Sequence, residues 1–102
     1  MKTIQAVNIW TDGIQKQGVI FGCKSIYDNL KDTAEFQYGI YDSGENLLKL
    51  STIKMLGQDY INWNNATDIN EQAYLWVTTK LNITITGPYV YTVNPGQQYL
   101  FS

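Results

Sequence analysis

The sequence lacks the residues on which many catalytic and binding sites depend. None of its 102 residues is His or Arg, and Cys23 is the one cysteine. Without His there can be no Ser-His-Asp triad, no Cys-His pair and no His-ligated zinc site. Arg is the usual bidentate partner of phosphate, so a chain without Arg and with a formal net charge of −2 is not expected to bind nucleic acid. Only sites built from carboxylates, Lys, Tyr or Cys remain.

Long apolar runs are also missing. No stretch approaches the about 18 apolar residues of a membrane span, and the start of the chain is not followed by the apolar core of a signal peptide. We therefore expect a protein that is neither exported nor inserted in a membrane. A length of 102 residues with a 44% hydrophobic composition fits a single domain, residues 1–102, which we divide into a core, residues 1–86, and a C-terminal hairpin, residues 87–102.

The first 56 residues have the pattern of four β-strands joined by short turns. Alternation is clearest over residues 34–41, where a more polar set of side chains alternates with four apolar ones: Ala34, Phe36, Tyr38 and Ile40. Asp12-Gly13 is a pair that accepts positive φ in a tight hairpin turn. Because the connections are too short for parallel crossovers, we predict an antiparallel meander, arranged as one sheet or folded into a sandwich.

The hydrophobic period changes after Gly57. Residues 58–63 suit a short helix. Asp68 has the character of a helix N-cap, with Glu71 three residues further on as in a capping box. Behind this cap, one stripe repeats at i, i+4, i+7, i+8 and i+11: Ile69, Ala73, Trp76, Val77 and Lys80. The spacing predicts a helix over residues 69–81 that packs on the meander through this stripe.

The C-terminal residues return to a β-pattern. Residues 82–86 are predicted as a strand and Gly87-Pro88 as a turn. Residues 89–101 then form a hairpin around Asn94-Pro95-Gly96, where Pro and Gly stand as a type II turn needs them. An isolated hairpin is only marginally stable, so this one needs a surface in its own domain or on a neighbouring subunit. The predicted fold class is α+β: four N-terminal strands, a short and a longer helix packed on them, and a C-terminal β-hairpin.

Three loop carboxylates and the cysteine are the candidates for chemistry. Asp28, Asp32 and Asp42 border loops, where they form an acid pair or a set of cation ligands, or are ordinary turn residues in solvent. Cys23 lies among apolar neighbours, and Lys24, the nearest cation, points to the other face of the strand. Turn carboxylates and a buried thiol are the simpler interpretation. We therefore expect no catalytic, cofactor-binding or metal-ligating residue, and no enzyme activity.

Aromatic residues are abundant, with 8 Tyr, 3 Trp and 3 Phe. Trp10, Trp63 and Trp76 suit either a sugar-stacking platform or, for the last two, the core. The tyrosines suit cross-strand pairs or a protein interface, since Tyr buries a large area at low entropic cost. We predict contacts with other subunits at four C-terminal positions: Tyr89, Tyr91, Tyr99 and Phe101.

The order of aromatic, Asn and Gly positions resembles a known group of proteins. The matching runs are residues 25–30 (SIYDNL), 34–38 (AEFQY), 57–60 (GQDY), 68–70 (DIN), 73–74 (AY), 76–77 (WV) and 81–82 (LN), together with Trp63. In this order they resemble small proteins encoded among the virion genes of tailed bacteriophages. The chain departs from that pattern by continuing through residues 87–102.

The resemblance implies a structural virion component, such as a head, neck or tail accessory subunit, that assembles in many copies in the cytoplasm of the bacterial host. Its partners are then other phage structural proteins and further copies of itself, without nucleic acid, membrane or cofactor. The residues leave one alternative open, a carbohydrate- or receptor-binding module that uses exposed aromatic side chains, with Trp10 as a stacking residue.

Overall fold

The computed structural model describes residues 1–89 of the chain. These residues form five strands and two helices in the order β1 Lys2–Thr11, β2 Ile14–Asp28, β3 Thr33–Tyr41, β4 Leu47–Leu56, α1 Gln58–Asn64, α2 Ile69–Lys80 and β5 Ile85–Pro88. The α+β class and the four N-terminal strands are therefore confirmed. The predicted hairpin turn at residues 94–96 lies outside the described residues, as do Tyr91, Tyr99 and Phe101.

All five strands belong to one antiparallel sheet with the order β4-β3-β2-β1-β5. Consecutive strands β1 to β4 are neighbours, which confirms the predicted meander. The sandwich alternative is wrong for the described residues, because both helices pack on one face of this sheet and bury it without a second sheet. The β1–β2 turn is formed by Asp12 and Gly13, with φ of 52° and 74°, as a two-residue hairpin of this kind requires.

The fifth strand corrects the prediction at Gly87-Pro88. These residues are not a turn but the end of β5, where Gly87 pairs with Thr3 and Pro88 pairs with Lys2. The hydroxyl of Thr3 also donates to the carbonyl oxygen of Gly87 at 3.1 Å. Proline has no N–H to donate, so it is tolerated in a strand such as β5, which has no second strand neighbour among residues 1–89.

The second helix begins and packs as its sequence predicts. The Asp68 side chain accepts a hydrogen bond from the Glu71 backbone N–H at 3.1 Å, which satisfies one of the free donors of the first turn. Val77 is fully buried, and Trp76 is partly buried against the core. The stripe prediction is therefore correct for Ala73, Trp76 and Val77, whereas Ile69 and Lys80 are exposed and Tyr74 and Thr78 are buried in their place.

Aromatic rings connect the helices to the sheet. Phe36 of β3 meets Trp63 of α1 edge-on, with ring centroids 5.2 Å apart, and Trp76 of α2 at 6.2 Å. Phe21 of β2 stacks on Tyr38 at 5.8 Å. The buried core between the sheet and the helices consists of Ile4, Phe21, Cys23, Ala34, Phe36, Tyr38, Ile40, Met55, Tyr60, Trp63, Ala73, Tyr74 and Val77.

Gly18 is required by close packing within the sheet. A Cβ atom at this position would overlap Cγ2 of Ile40 and lie 3.2 Å from Cγ2 of Val7. We expect Gly18→Ala to lower the free energy of unfolding by about 1–3 kcal/mol, as overpacking does elsewhere, measured by urea denaturation. Gly87→Ala is the matched control, because its Cβ would meet Thr3 Oγ1 at an ordinary 3.4 Å. Equal stability of the two variants would contradict this assignment.

Candidate interaction surfaces

The three loop carboxylates do not form a common site. Asp28 accepts a 2.6 Å hydrogen bond from the Tyr60 hydroxyl and lies beside Asp32 in the β2–β3 loop. Asp42 follows β3 at its other end, about 30 Å away for a nine-residue strand. Within residues 1–89 no cluster of three or more Cys, Asp or Glu side chains could hold a metal ion. Asp42 is therefore separate from the other two carboxylates, and the three do not form the cation site that was one interpretation of the sequence.

Each of these carboxylates instead accepts hydrogen bonds within its own loop. Hydrogen bonds from the side chains of Asn29 and Thr33 hold the pKa of Asp32 below its usual value. Desolvation acts in the opposite direction at Asp42, but hydrogen bonds from Asn46 and Gly44 still lower the pKa of that carboxyl. Side-chain oxygens that accept from nearby backbone N–H groups are the usual reason for Asp in turns, and this interpretation of the sequence is confirmed.

The buried titratable groups are held in their neutral forms. Burial raises the pKa of the Cys23 thiol to about 12. The hydrogen bond to Asp28, followed by burial, raises the pKa of Tyr60 to about 12, and burial does the same for Tyr74. All three groups therefore stay protonated at neutral pH, where a nucleophile or general base would need to lose its proton.

The clefts beside the core are small. One of about 170 Å³ is lined mainly by apolar side chains, with Lys49 among them, and one of about 220 Å³ lies between β2 and the start of α2. Small-molecule sites commonly measure about 300–1,000 Å³. A depression of about 370 Å³ on the sheet surface reaches that range, but its lining is polar and includes Glu35 and Lys54.

Of the four predicted contact residues, Tyr89 is the one within the described chain. Its backbone N–H donates to the Met1 carbonyl oxygen at 3.1 Å. Its side chain packs against Ile20 and Tyr41, which are buried on the face of the sheet opposite the helices. Tyr89 therefore contributes to an intramolecular cluster, in which it is only partly buried, and a contact with another subunit stays a prediction for all four residues.

The sequence pattern did not predict a hairpin arm, residues 8–17, which we define as the part of β1 and β2 without other strand neighbours. β3 pairs with β2 only from Ile20 onwards, and β5 pairs with β1 only at Lys2–Ile4. Residues 14–17 of the arm are all exposed. A two-stranded ribbon therefore continues beyond its strand neighbours, with both of its edges unpaired among the described residues, while Ile9 of the arm still packs against the core.

The end of this arm carries two large apolar side chains. Trp10 is 71% exposed and Ile14 is 60% exposed, and they lie at adjacent positions of the ladder next to the Asp12-Gly13 turn. By contrast, Trp63 is buried and Trp76 is partly buried, as the core interpretation predicted. Trp10 pairs with Gln15 and Ile14 pairs with Thr11, so the two apolar side chains point to opposite faces of the arm.

Comparisons of the chain with protein-family models, curated proteins and solved structures give no match. Neither helix of residues 1–89 has the length and apolar composition that a membrane span requires.

The reactivity of Cys23 tests its assigned structural role. With a pKa of about 12, roughly one thiol in 10⁴ is ionised at pH 8. We expect Ellman's reagent to react slowly with the folded protein at pH 8 and rapidly in denaturant. The measurement is unambiguous because the chain has one cysteine. Rapid reaction of the folded protein would contradict the burial of the thiol and reopen a chemical role for it.

The same raised pKa values predict the alkaline limit of the fold. When folding favours the neutral form of a tyrosine, its pKa is higher in the folded protein than in the unfolded chain. Its contribution to the free energy of unfolding is complete below the unfolded-state pKa and is lost as the pH rises through the folded-state pKa. For Tyr60 and Tyr74 this window runs from pH 10 to about 12. We expect the free energy of unfolding to fall across this window. In an alkaline titration followed by phenolate absorbance, Tyr60 and Tyr74 should ionise after the tyrosines whose pKa is not raised.

Proposed function

We propose that this chain is a structural subunit that acts by assembling with further copies of itself, and that the hairpin arm makes the contact. The exposure of Trp10 and Ile14 at the end of the arm carries this proposal. Trp is enriched among the residues that supply most of the binding energy of protein interfaces. Full burial of two such side chains is worth about 1.5–3 kcal/mol each.

Hydrogen bonding gives the arm a second reason to bind another chain. A two-stranded ribbon is marginally stable alone, and its open edges carry backbone groups that can pair with another strand. β4 provides a suitable edge on a second copy, because it has ten residues and no strand neighbour beyond it in the described chain. Leu47, Leu50 and Leu56 of β4 are each about half exposed. Pairing of an arm with such an edge is β-strand addition.

The resemblance in sequence suggests which assembly the subunit belongs to. In it, the chain is a virion component of a tailed bacteriophage, assembled in the host cytoplasm alongside other phage structural proteins. The absence of a converging set of catalytic groups among residues 1–89 supports a role in shape and contact. Portal, capsid or tail genes beside the coding sequence would support the virion assignment, and flanking metabolic genes would contradict it.

Sedimentation of the full chain tests the arm contact. We expect the unmodified protein to form oligomers at tens of micromolar and Trp10→Ser, Ile14→Ser to sediment as a monomer. Loss of about 3 kcal/mol or more weakens association at least about a hundredfold. Gln72→Ser is the control, since Gln72 is exposed on α2 rather than on the arm. A monomeric unmodified protein, or a double Trp10 and Ile14 variant that still assembles, would overturn the proposal.

Carbohydrate binding is the second candidate, favoured by the 71% exposure of Trp10. An exposed indole can cover the apolar face of a sugar ring. Tryptophan fluorescence titrated with bacterial surface polysaccharide separates the two functions, because Trp63 and Trp76 pack in or against the core. Assembly through the arm predicts no shift at millimolar sugar. A saturable shift that disappears in Trp10→Ser would instead establish the sugar site.

A further inference from the structure

A small cleft lies beyond the end of α2, on the side of the sheet that the helices cover. Among residues 1–89, Lys49 of β4 is the one charged residue that lines it, and we call it the Lys49 cleft. Its volume is about 170 Å³, whereas a cavity of about 150 Å³ can already bind benzene. It therefore has room for one apolar side chain of moderate size. Its apolar walls come from β1, β3 and the residues that follow α2: Val7, Ile9, Ile40, Leu81 and Ile83.

Lys49 gives this cleft a positive charge near the edge of the sheet. It pairs with Ile40 of β3, and β4 has no second strand neighbour among residues 1–89. The Lys49 side chain is exposed and forms no ion pair within this part of the chain. An ammonium group on a flexible stem can therefore pair with a carboxylate that another molecule brings to the cleft.

The end of the hairpin arm has the complementary features. Ile14 is 60% exposed, and Asp12 is exposed in the turn without an ion pair among residues 1–89. Ile14 and Trp10 lie on opposite faces of the arm, so one of them at a time can enter a cleft. An isoleucine side chain has fewer carbon atoms than benzene and an indole has more, so Ile14 is the one that matches the Lys49 cleft.

The cleft is not filled by the arm of its own chain. Ile9 is part of its wall and lies at the base of the arm. Ile14 of the same chain lies beyond it, next to the turn, where its side chain is exposed. An arm that enters the cleft must therefore come from a second copy.

We infer that the Lys49 cleft of one copy receives the end of the arm of a second copy. Ile14 is buried among the apolar walls, and the Asp12 carboxylate pairs with the Lys49 ammonium group. The apolar contact removes water from around the ion pair, which strengthens the attraction between the two charges. Complementary charges of this kind chiefly supply specificity. The inference rests on the proposed assembly through the arm and names the surface that receives it.

A double-mutant cycle measured by sedimentation equilibrium tests the ion pair. Asp12→Asn keeps a turn sequence that accepts positive φ, and Lys49→Met keeps an unbranched side chain, so each variant removes a charge and preserves the local structure. We expect either variant to raise the dissociation constant at least about fivefold. In the Lys49→Met background, Asp12→Asn should then have almost no further effect, because the two residues form one interaction.

Lys54→Met provides the matched control background. Lys54 is exposed on the same strand as Lys49 but lies outside the cleft. Asp12→Asn should therefore keep its full effect in Lys54→Met. An equal effect of Asp12→Asn in the unmodified, Lys49→Met and Lys54→Met backgrounds would overturn the inference.

Nuclear Overhauser spectroscopy of a mixture of isotope-labelled and unlabelled chains locates Ile14. We expect cross-peaks between chains from the Ile14 methyl protons to the methyl protons of Val7 and Ile83. Ile26 is the control, because it is 47% exposed and does not line the cleft, so its methyl protons should give no such cross-peaks. Contacts of Val7 and Ile83 with a segment other than the arm, or no cross-peak between chains, would overturn the inference.

These measurements separate this inference from the proposed function. A monomeric unmodified chain would overturn both. Oligomers that are lost in Trp10→Ser, Ile14→Ser but show no coupling between Asp12 and Lys49 would overturn the inference alone, because the arm would then bind a different surface of the second copy. Coupling of the two charges together with the cross-peaks from Ile14 would support it.

Discussion

The contact of Phe36 with two tryptophans holds the two layers of this protein together. Phe36 lies in β3, between β2 and β4, and is 1% exposed. Trp63 and Trp76 reach it from different helices, and each indole N–H is fixed by its own hydrogen bond, to the Ile69 carbonyl at 2.8 Å and to the Asp59 carboxylate at 3.2 Å. Helices of seven and twelve residues are too short to be stable alone in water. Their order therefore comes from this aromatic junction.

Local sequence signals predicted most of the fold because they act over a few residues. The alternation of apolar and polar side chains predicted β3, the Asp12-Gly13 pair predicted the first turn, and Asp68 predicted the start of α2. The error at Gly87-Pro88 arose from a long-range fact, since these residues can form a strand only because the start of β1, more than 80 residues earlier, offers an edge. The arm was missed for the same reason. Nothing within residues 8–17 shows how far β3 and β5 extend beside them.

The same distinction between local and long-range information applies to the candidate sites. The burial of Cys23 and the turn roles of the aspartates follow from residue type and immediate neighbours, and both could be predicted. The hydrogen bond between Tyr60 and Asp28 joins residues 32 positions apart, and no pattern in the sequence indicates it. The exposure of Trp10 could be suspected from alternation in β1, but only the ladder shows that Ile14 stands on the neighbouring rung, opposite Thr11.

The strands that form the arm are the same strands that carry the core. β1 runs without interruption from Ile4, which is 5% exposed, to Trp10 at the end of the ribbon. A second molecule that binds the end of the arm therefore also restrains β1, which contributes Ile4 to the core. Any ligand that binds only the native form shifts the unfolding equilibrium by mass action. A copy whose tip is bound by a neighbour would then withstand heat and denaturant better than the same copy in dilute solution.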